Sequence, residues 1–160
     1  MFAVLALFAT LVLDGSFMLE SRHDLDVIAL HAAQTGAGQV DYATYNANCS
    51  AYLTLNPTGN VVDCQQFLVL NPAAATTAAT NSANQWLAEL AKQKLGFPGF
   101  VPTTGSVVNV AIGAGNSSIT VTIRYCYKPF LISSFAGNNP PCPRAVLVVA
   151  SVTSAPLTGH

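Results

Sequence analysis

The hydrophobic pattern divides the chain into an apolar start, a mixed middle and an alternating end. Residues 1–13 form a nearly unbroken apolar run, and no charged residue precedes Asp14. Apolar positions continue beyond it at spacings of seven, three and four, at Met18, Leu25, Ile28 and Ala32. These spacings mark one face of an α-helix, and no proline interrupts it before Gly36-Ala37-Gly38, which could cap its end. The pattern predicts a helix over about residues 2–36, roughly 50 Å long.

Charged residues mark the opposite face of the second half of this helix. They are Glu20, Arg22, Asp24 and Asp26. Arg22 and Asp26 are spaced for an i,i+4 ion pair. The predicted helix is therefore apolar all round in its first half and amphipathic in its second, so lipid or other subunits must cover the first half.

The middle of the chain has weaker patterning, and we expect residues 39–80 to be rich in loops. Two Asn-Pro pairs and the low-complexity run AAATTAAT lie here, and Phe67 to Leu70 is long enough for a short strand. A second helix is predicted over SANQWLAELAKQKLG, capped by Asn81 or Ser82. Its expected buried stripe is Trp86, Leu87, Leu90 and Leu95. Lys92 and Lys94 lie in the expected last turn, and Gly96 and Pro98 end it.

The end of the chain predicts three strands, SVVNVAI, SITVTIRYCY and AVLVVASV. The first two are joined by the turn Gly-Ala-Gly-Asn at residues 113–116. In the second strand Ile119, Val121, Ile123 and Tyr125 alternate with Thr120, Thr122 and Arg124, which indicates an antiparallel strand with one buried face. The order of elements predicts an α+β fold in which a long N-terminal helix packs on a C-terminal antiparallel sheet domain with a second short helix. We divide the chain into an N-terminal helix, residues 1–38, and a globular head, residues 39–160.

Composition narrows the class of protein. Hydrophobic residues make up 51% of the 160 residues and charged residues only 8%, with a net charge of −1. A soluble domain usually carries about a quarter charged residues, so we expect much of this surface to be covered by other protein. The few basic residues are scattered, which argues against a nucleic-acid partner.

Four cysteines, Cys49, Cys64, Cys126 and Cys142, allow three pairings. The sequence-local pairing, Cys49 with Cys64 and Cys126 with Cys142, would close two modest loops. Four buried free thiols are the alternative. Disulfides would place the chain in an oxidising compartment. No CxxC occurs and only three histidines are present, so we expect no zinc site.

The apolar start of the chain matches neither a secretory signal peptide nor an uninterrupted transmembrane helix. A signal peptide has a positive region before its apolar core, and a simple anchor needs ~20 apolar residues. Extending the run to Leu19 includes Asp14, which costs ~3 kcal/mol at the bilayer centre and less near its edge. We expect instead a mature chain whose basic leader has been removed and whose α-amino group is free or methylated.

Residues that could carry other chemistry have simpler explanations. No GxSxG accompanies the Ser, His and Asp residues, the acids are scattered, and no helix is predicted after Gly113-Ala114-Gly115, as a phosphate loop needs. His23 and His31 lie on one side of the helix without further ligands. We therefore expect no catalytic, cofactor or metal site and no enzyme. Asn48 and Asn116 begin N-x-S sequons, and Asn116 is the candidate glycosylation site.

Three consecutive segments carry a family resemblance. They are an apolar stretch ending in an acid (LVLDGSFML), a polar turn (ESRHD) and a Leu-led, Ala-rich helix closing in Gly (LDVIALHAAQTGAG). They resemble the type IV pilin-like superfamily, and within it the TadE-like and TadG-like subunits of tight-adherence (Tad) pili. The resemblance covers residues 1–40. The rest is similar in kind only, as a sheet domain with a disulfide-stapled C-terminal loop.

The resemblance implies a structural subunit that waits in the inner membrane, is cleaved by a prepilin peptidase, and is polymerised by a pilus assembly machinery into an extracellular filament of identical subunits. The helices would bundle in the filament core. The implied assembly residues are Met1, Phe2, Val4, Leu5, Leu7, Phe8, Leu11, Leu13, Asp14 and Phe17.

Asp14 has two interpretations. It could pair with Arg22, His23 or the amino terminus of a neighbouring subunit, or it could lie exposed to headgroups at a membrane edge. For the whole chain, the alternatives are a membrane-retained minor pilin and a membrane-anchored extracytoplasmic binding or enzymatic domain.

Overall fold

The computed structural model describes residues 2–93, 107–128, 138–139, 142–143 and 146–156. The fold is α+β, as predicted, with a long N-terminal helix, further helices and an antiparallel sheet. The helices are α1 (Phe2–Ala37), α2 (Tyr42–Leu55) and α3 (Pro72–Gln93), with 3₁₀ segments at Val61–Phe67 and Ala114–Asn116. The strands are β1 (Val107–Ile112), β2 (Ile119–Tyr127), β3 (Asn138–Asn139), β4 (Cys142–Pro143) and β5 (Val146–Ser154).

The three long strands form one antiparallel sheet in the order β1-β2-β5. Val121 of β2 lies opposite Val110 of β1 and Val152 of β5. The predicted alternation is confirmed, because Ile119, Val121, Ile123 and Tyr125 are buried. On the other face hydroxyl pairs bridge β2 and β5, with Thr120 and Thr153 at 2.8 Å and Thr122 and Ser151 at 3.0 Å.

Two helices cover the buried face of this sheet. α1 packs on β2 and β5, α3 packs on β1, and the two helices pack on each other. The core between the layers contains Leu25 and Ile28 from α1, together with Ile119, Ile123 and Tyr127 from β2. The second half of α1 is therefore part of the head's own core.

The extent of α1 confirms the prediction, but the way in which the helix is capped at its C-terminal end differs from it. The Gly38 N–H donates to Gln34 O at 3.1 Å, and in the described part of the chain only Gly115 and Asn116 adopt a left-handed φ. The helix thus stops without a left-handed glycine cap. The prediction of an ion pair between Arg22 and Asp26 is also wrong. Among the described residues an ion pair joins Lys92 to Glu89 on the second half of Pro72–Gln93, at 2.7 Å, and Arg22 and Asp26 form none.

Gly36 has a packing role. It is buried, and a Cβ at this position would overlap Ile119 Cδ1 and lie 3.0 Å from both Ala75 O and Ala79 Cβ. α1 can approach α3 and the sheet this closely because position 36 has no side chain.

α3 is longer than the predicted second helix. It begins at Pro72, and Asn71 Oδ1 accepts a hydrogen bond from the Ala74 N–H at 3.1 Å. The expected caps at Asn81 or Ser82 are therefore wrong, and the run AAATTAAT is helical.

The buried stripe of α3 also differs from the prediction. Its buried residues are Ala75, Ala79 and Ala83. Leu87 and Leu90 pack partly on the core as expected, whereas Trp86 is exposed. Lys92 lies in the last turn as predicted, and Leu95, Lys94, Gly96 and Pro98 lie outside the described residues.

Residues 41–69, predicted to be mainly loop with a strand, form a helical lobe instead. The Asp41 carboxylate caps α2 by accepting hydrogen bonds from the Thr44 N–H and hydroxyl. Phe67 ends a 3₁₀ helix and Leu70 makes a single β-bridge to Val40, so the predicted strand is not formed.

The cysteines agree with the sequence-local pairing as far as the structure describes them. Cys49 of α2 is bonded to Cys64 of the 3₁₀ helix, with their Cα atoms 5.2 Å apart. α2 packs chiefly on this 3₁₀ helix, and we call residues 41–69 the disulfide lobe. Cys126 is also disulfide-bonded; the side chain of Cys142 lies outside those described.

Candidate functional site

The first half of α1 is a helix whose large apolar side chains are mostly left exposed by the rest of the chain. We call residues 4–19 the apolar segment. Its large exposed side chains retain between 52% and 69% of their accessible surface: Val4, Leu5, Phe8, Leu11, Val12, Leu13 and Leu19. Of the other predicted assembly residues, Phe17 packs partly on the core. Met1 and the side chains of Phe2 and Leu7 lie outside the described part.

By length and composition α1 could cross a membrane over Val4–Ala37. Signal sequences meet the same criterion. The core helix of a soluble protein is mostly buried, whereas only 6% of the apolar window in α1 is buried. This helix could therefore serve as a membrane anchor or signal sequence.

Asp14 is the exception within the apolar segment. It is only 6% exposed and takes part in a polar interaction within the chain. Its position continues the stripe by which α1 packs on the head: residues 14, 18, 21, 25, 28 and 32 follow one another at spacings of four and three. The alternative of a carboxylate exposed to headgroups is wrong for the isolated subunit.

The burial of Asp14 could have been read from the sequence. The spacing from Asp14 to Met18 is four residues and that from Met18 to Leu25 is seven, so Asp14 falls on the predicted buried face. Its hypothesised role as the partner of a neighbouring subunit stays a prediction. Any such neighbour has to reach a side chain that its own subunit already covers.

A groove of about 170 Å³ opens between α1 and α3. Apolar side chains, including Val27 and Leu90, line it together with His23, Asp24 and Glu89, and Trp86 forms one wall. Its lining includes no hydroxyl or thiol that could act as a nucleophile, and the described residues contain no group of three metal-ligating side chains. The groove can hold a side chain but offers no evident catalytic chemistry.

The two helix histidines, predicted to lie on one side, meet different surroundings. His23 lines the groove, whereas the His31 ring stacks on Trp86 with centroids 5.4 Å apart and planes inclined by 15°. This stack fixes Trp86 at the edge of the α1–α3 contact, half exposed at 48%. This stack differs from the sequence prediction, which places Trp86 in the core.

The two sequons lie in different structures. Asn48 is exposed within α2, beside the disulfide at Cys49. Asn116 has φ 56° in the turn between β1 and β2, which confirms that residues 113–116 form a hairpin connection. The Asn116 carbonyl accepts a hydrogen bond from the Leu70 N–H at 2.9 Å. Glycosylation at Asn116 stays a prediction.

Comparison of the chain with protein-family models, with curated proteins and with solved structures finds no match. The candidate function therefore depends on the geometry of α1 and on the motif resemblance in its sequence.

Proposed function

We propose that the chain is a structural subunit that polymerises through its N-terminal helix into an extracellular filament of the type IV or Tad pilus kind. The observation that carries the proposal is the exposed apolar segment, continuous with a helix whose other half belongs to the head's core. A long helix packed on an antiparallel sheet also agrees with a pilin-like layout.

The energetics favour burial of this segment by other copies. Each large apolar side chain contributes ~1.5–3 kcal/mol when fully buried. The exposed side chains between Val4 and Leu13 retain half or more of their surface, so covering them yields on the order of 5–10 kcal/mol per subunit. A contact between different faces of identical subunits generates an open helical filament when it does not close into a ring.

The route to the filament begins in the inner membrane. The same segment holds the precursor in the inner membrane until a prepilin peptidase and the assembly machinery release it. Cys49–Cys64, which stabilises the disulfide lobe, suits an oxidising location outside the cytoplasm. The subunit needs no cofactor and carries out no reaction.

The second candidate is a membrane-retained subunit or a membrane-anchored extracytoplasmic binding domain. The observation that favours it is that α1 is long and apolar enough to cross a membrane. In this case lipid, and not other copies, covers the apolar segment permanently.

Electron microscopy of sheared cell-surface material, with mass spectrometry of the purified filaments, distinguishes the two. We expect filaments composed of this chain. Recovery of the chain only in the membrane fraction, with no filament containing it, would contradict the proposal and support the anchored domain. The same mass spectrum identifies the N-terminal residue of the chain. A methylated residue 1 supports processing by a prepilin peptidase, and a formylated Met1 contradicts it.

A further inference from the structure

A second apolar stripe runs along the outward side of α1. Its exposed residues recur at spacings of three, four, seven, eight and three: Leu5, Phe8, Val12, Leu19, Val27 and Leu30. These spacings confine them to about 100° of the helix surface, on the side opposite the stripe that contains Leu25 and Ala32. α1 thus has one apolar side packed on its own head and another without cover in the described structure.

The outward stripe extends beyond the apolar segment. Val27 and Leu30 lie in the charged half of α1, and both are exposed. Val27 lines the groove together with Trp86 of α3. We call Leu19, Val27, Leu30 and Trp86 the shoulder. His23 and Asp26 lie between its apolar positions on the helix.

Lipid is a poor occupant of the shoulder. Leu5 and Leu30 are about 38 Å apart along the helix, longer than the ~30 Å hydrocarbon core. A tilt that brought Leu30 into the bilayer would also bring in the charged side chains between residues 20 and 26, at ~3 kcal/mol for each one at mid-bilayer. These charges are mainly acidic, so an anionic lipid surface would repel them.

We infer that the shoulder is the docking surface for the apolar segment of a second copy of this chain. The inference rests on the proposed function and deepens it by naming the surface of the subunit that receives its neighbour's helix. Each copy supplies the complementary element, a helix that carries no charged residue before Asp14 and exposes Val, Leu and Phe side chains. The shoulder is also continuous with the outward stripe of the apolar segment, so one neighbouring helix can follow it along α1.

The side chains that meet in this contact follow from the shape of the shoulder. A large side chain of the neighbour, of the size of Leu or Phe, enters the groove beside Trp86, while Val27 and Leu30 contact the next turn of that helix at i,i+3 or i,i+4 spacing. Asp26 stays at the rim of the contact, where Arg22 lies one turn away. The subunits are then staggered, with the N-terminal part of one helix beside the middle of another.

Trp86 is the only tryptophan of the chain, so its fluorescence reports on the shoulder directly. The experiment compares three samples of the full chain at one pH: sheared filaments, detergent-solubilised subunits, and subunits in phosphatidylglycerol–phosphatidylcholine vesicles. We expect a blue-shifted emission and a several-fold smaller acrylamide quenching constant in the filaments alone. Equal quenching in filaments and detergent, or equal protection in vesicles, would overturn the inference while leaving the filament proposal intact.

A pair of variants tests the same surface by assembly. Leu30→Glu places a charge in the docked shoulder, and we expect at least about tenfold fewer filaments, because an unpaired buried charge is costly. Leu55→Glu is the matched control, since Leu55 is 81% exposed on the disulfide lobe. It should assemble normally.

Circular dichroism of both variants in detergent checks that the head is folded. Leu30→Glu filaments in wild-type yield would overturn the inference. Absence of filaments from the wild-type chain would overturn the proposed function and the inference with it.

Discussion

Replacement of Gly36 by alanine tests the closest contact in the fold. The new Cβ would overlap Ile119 Cδ1 and lie 3.0 Å from Ala75 O and from Ala79 Cβ. The Ile119 methyl group can rotate away, but Ala75 O and Ala79 Cβ are fixed to the helix backbone of α3. α1 and α3 must therefore separate by a few tenths of an ångström, and the core between them loses contact.

Two effects of opposite sign set the magnitude. Alanine is about 1 kcal/mol more favourable than glycine within a helix, whereas overpacking a core costs about 1–3 kcal/mol. Because two of the three contacts cannot yield by side-chain rotation, we place the cost near the upper end. The expected net loss is about 1–2 kcal/mol of the free energy of unfolding. For a chain of this size that lowers Tm by about 2–8 °C.

The assay is thermal unfolding of the detergent-solubilised full chain, followed by circular dichroism. Gly38→Ala is the matched control. Gly38 is exposed, and a Cβ there would meet only ordinary contacts, the nearest at 3.6 Å from Thr35 O. Gly38→Ala should leave Tm nearly unchanged. A Gly36→Ala chain as stable as the wild type, or more stable, would refute the close-packing argument.

Three further predictions concern the disulfide lobe and Asp14. The double variant Cys49→Ser, Cys64→Ser should lose about 3 kcal/mol of stability in the lobe, as expected for a 15-residue loop. Hydrogen exchange should show lost protection in α2 with the sheet unaffected; an unchanged α2 would contradict this. The Thr44 hydroxyl and N–H hold the pKa of Asp41 below its ordinary value, so the stabilisation by this cap should be present above about pH 4 and lost as pH falls through the lowered pKa. Helix content of wild type and the non-titrating Asp41→Asn, measured against pH, checks the sign, and a difference that grows on acidification would be inconsistent with it. Asp14→Ala should weaken filament assembly. Filament yields equal to those of the wild type would contradict the idea that Asp14 pairs with a neighbouring subunit. Comparison of the Tm of wild type and Asp14→Asn in detergent measures the role of the Asp14 carboxylate within the subunit.

The sheet and α1 could be predicted because their patterns are periodic over many residues. Ile119, Val121 and Ile123 alternate with polar residues, and a strand with one buried face has that period. In α1, Met18, Leu25, Ile28 and Ala32 recur at helical spacing over several turns. Long periodic segments of this kind determine which face is buried without information from the rest of the chain.

The start of α3 differs from the prediction because the residues that begin this helix are also typical of a turn. Asn71-Pro72 was interpreted as a turn, but Asn at the N-cap followed by Pro at the first helical position is also how a helix begins. Ala75 and Ala79 then look like low complexity, although their spacing of four marks a helix face. A helix contact formed by small residues contains no run of large apolar residues, so the hydrophobic pattern of the sequence does not indicate it.

α2 and the shoulder were missed for different reasons. The apolar residues of α2 are spread around the helix and follow no helical spacing, and its cap, Asp41 with Thr44, is recognisable only once the helix is assumed. The predicted stripe of α3 includes Trp86 with Leu87 and Leu90, and so places Trp86 in the core. Its actual position depends on how Ala83 brings α3 against α1, which is a tertiary effect that local spacing does not contain.

The small residues between α1 and α3 also have an entropic consequence. Gly36, Ala75, Ala79 and Ala83 have no side-chain rotamers to lose, so joining these helices costs only backbone freedom. Larger core residues such as Leu give up about 0.5–1 kcal/mol each when their rotamers are fixed. The joint that sets the direction of α1 relative to the sheet therefore forms without rotamer ordering at these positions, and it has no alternative side-chain arrangement there into which it could repack.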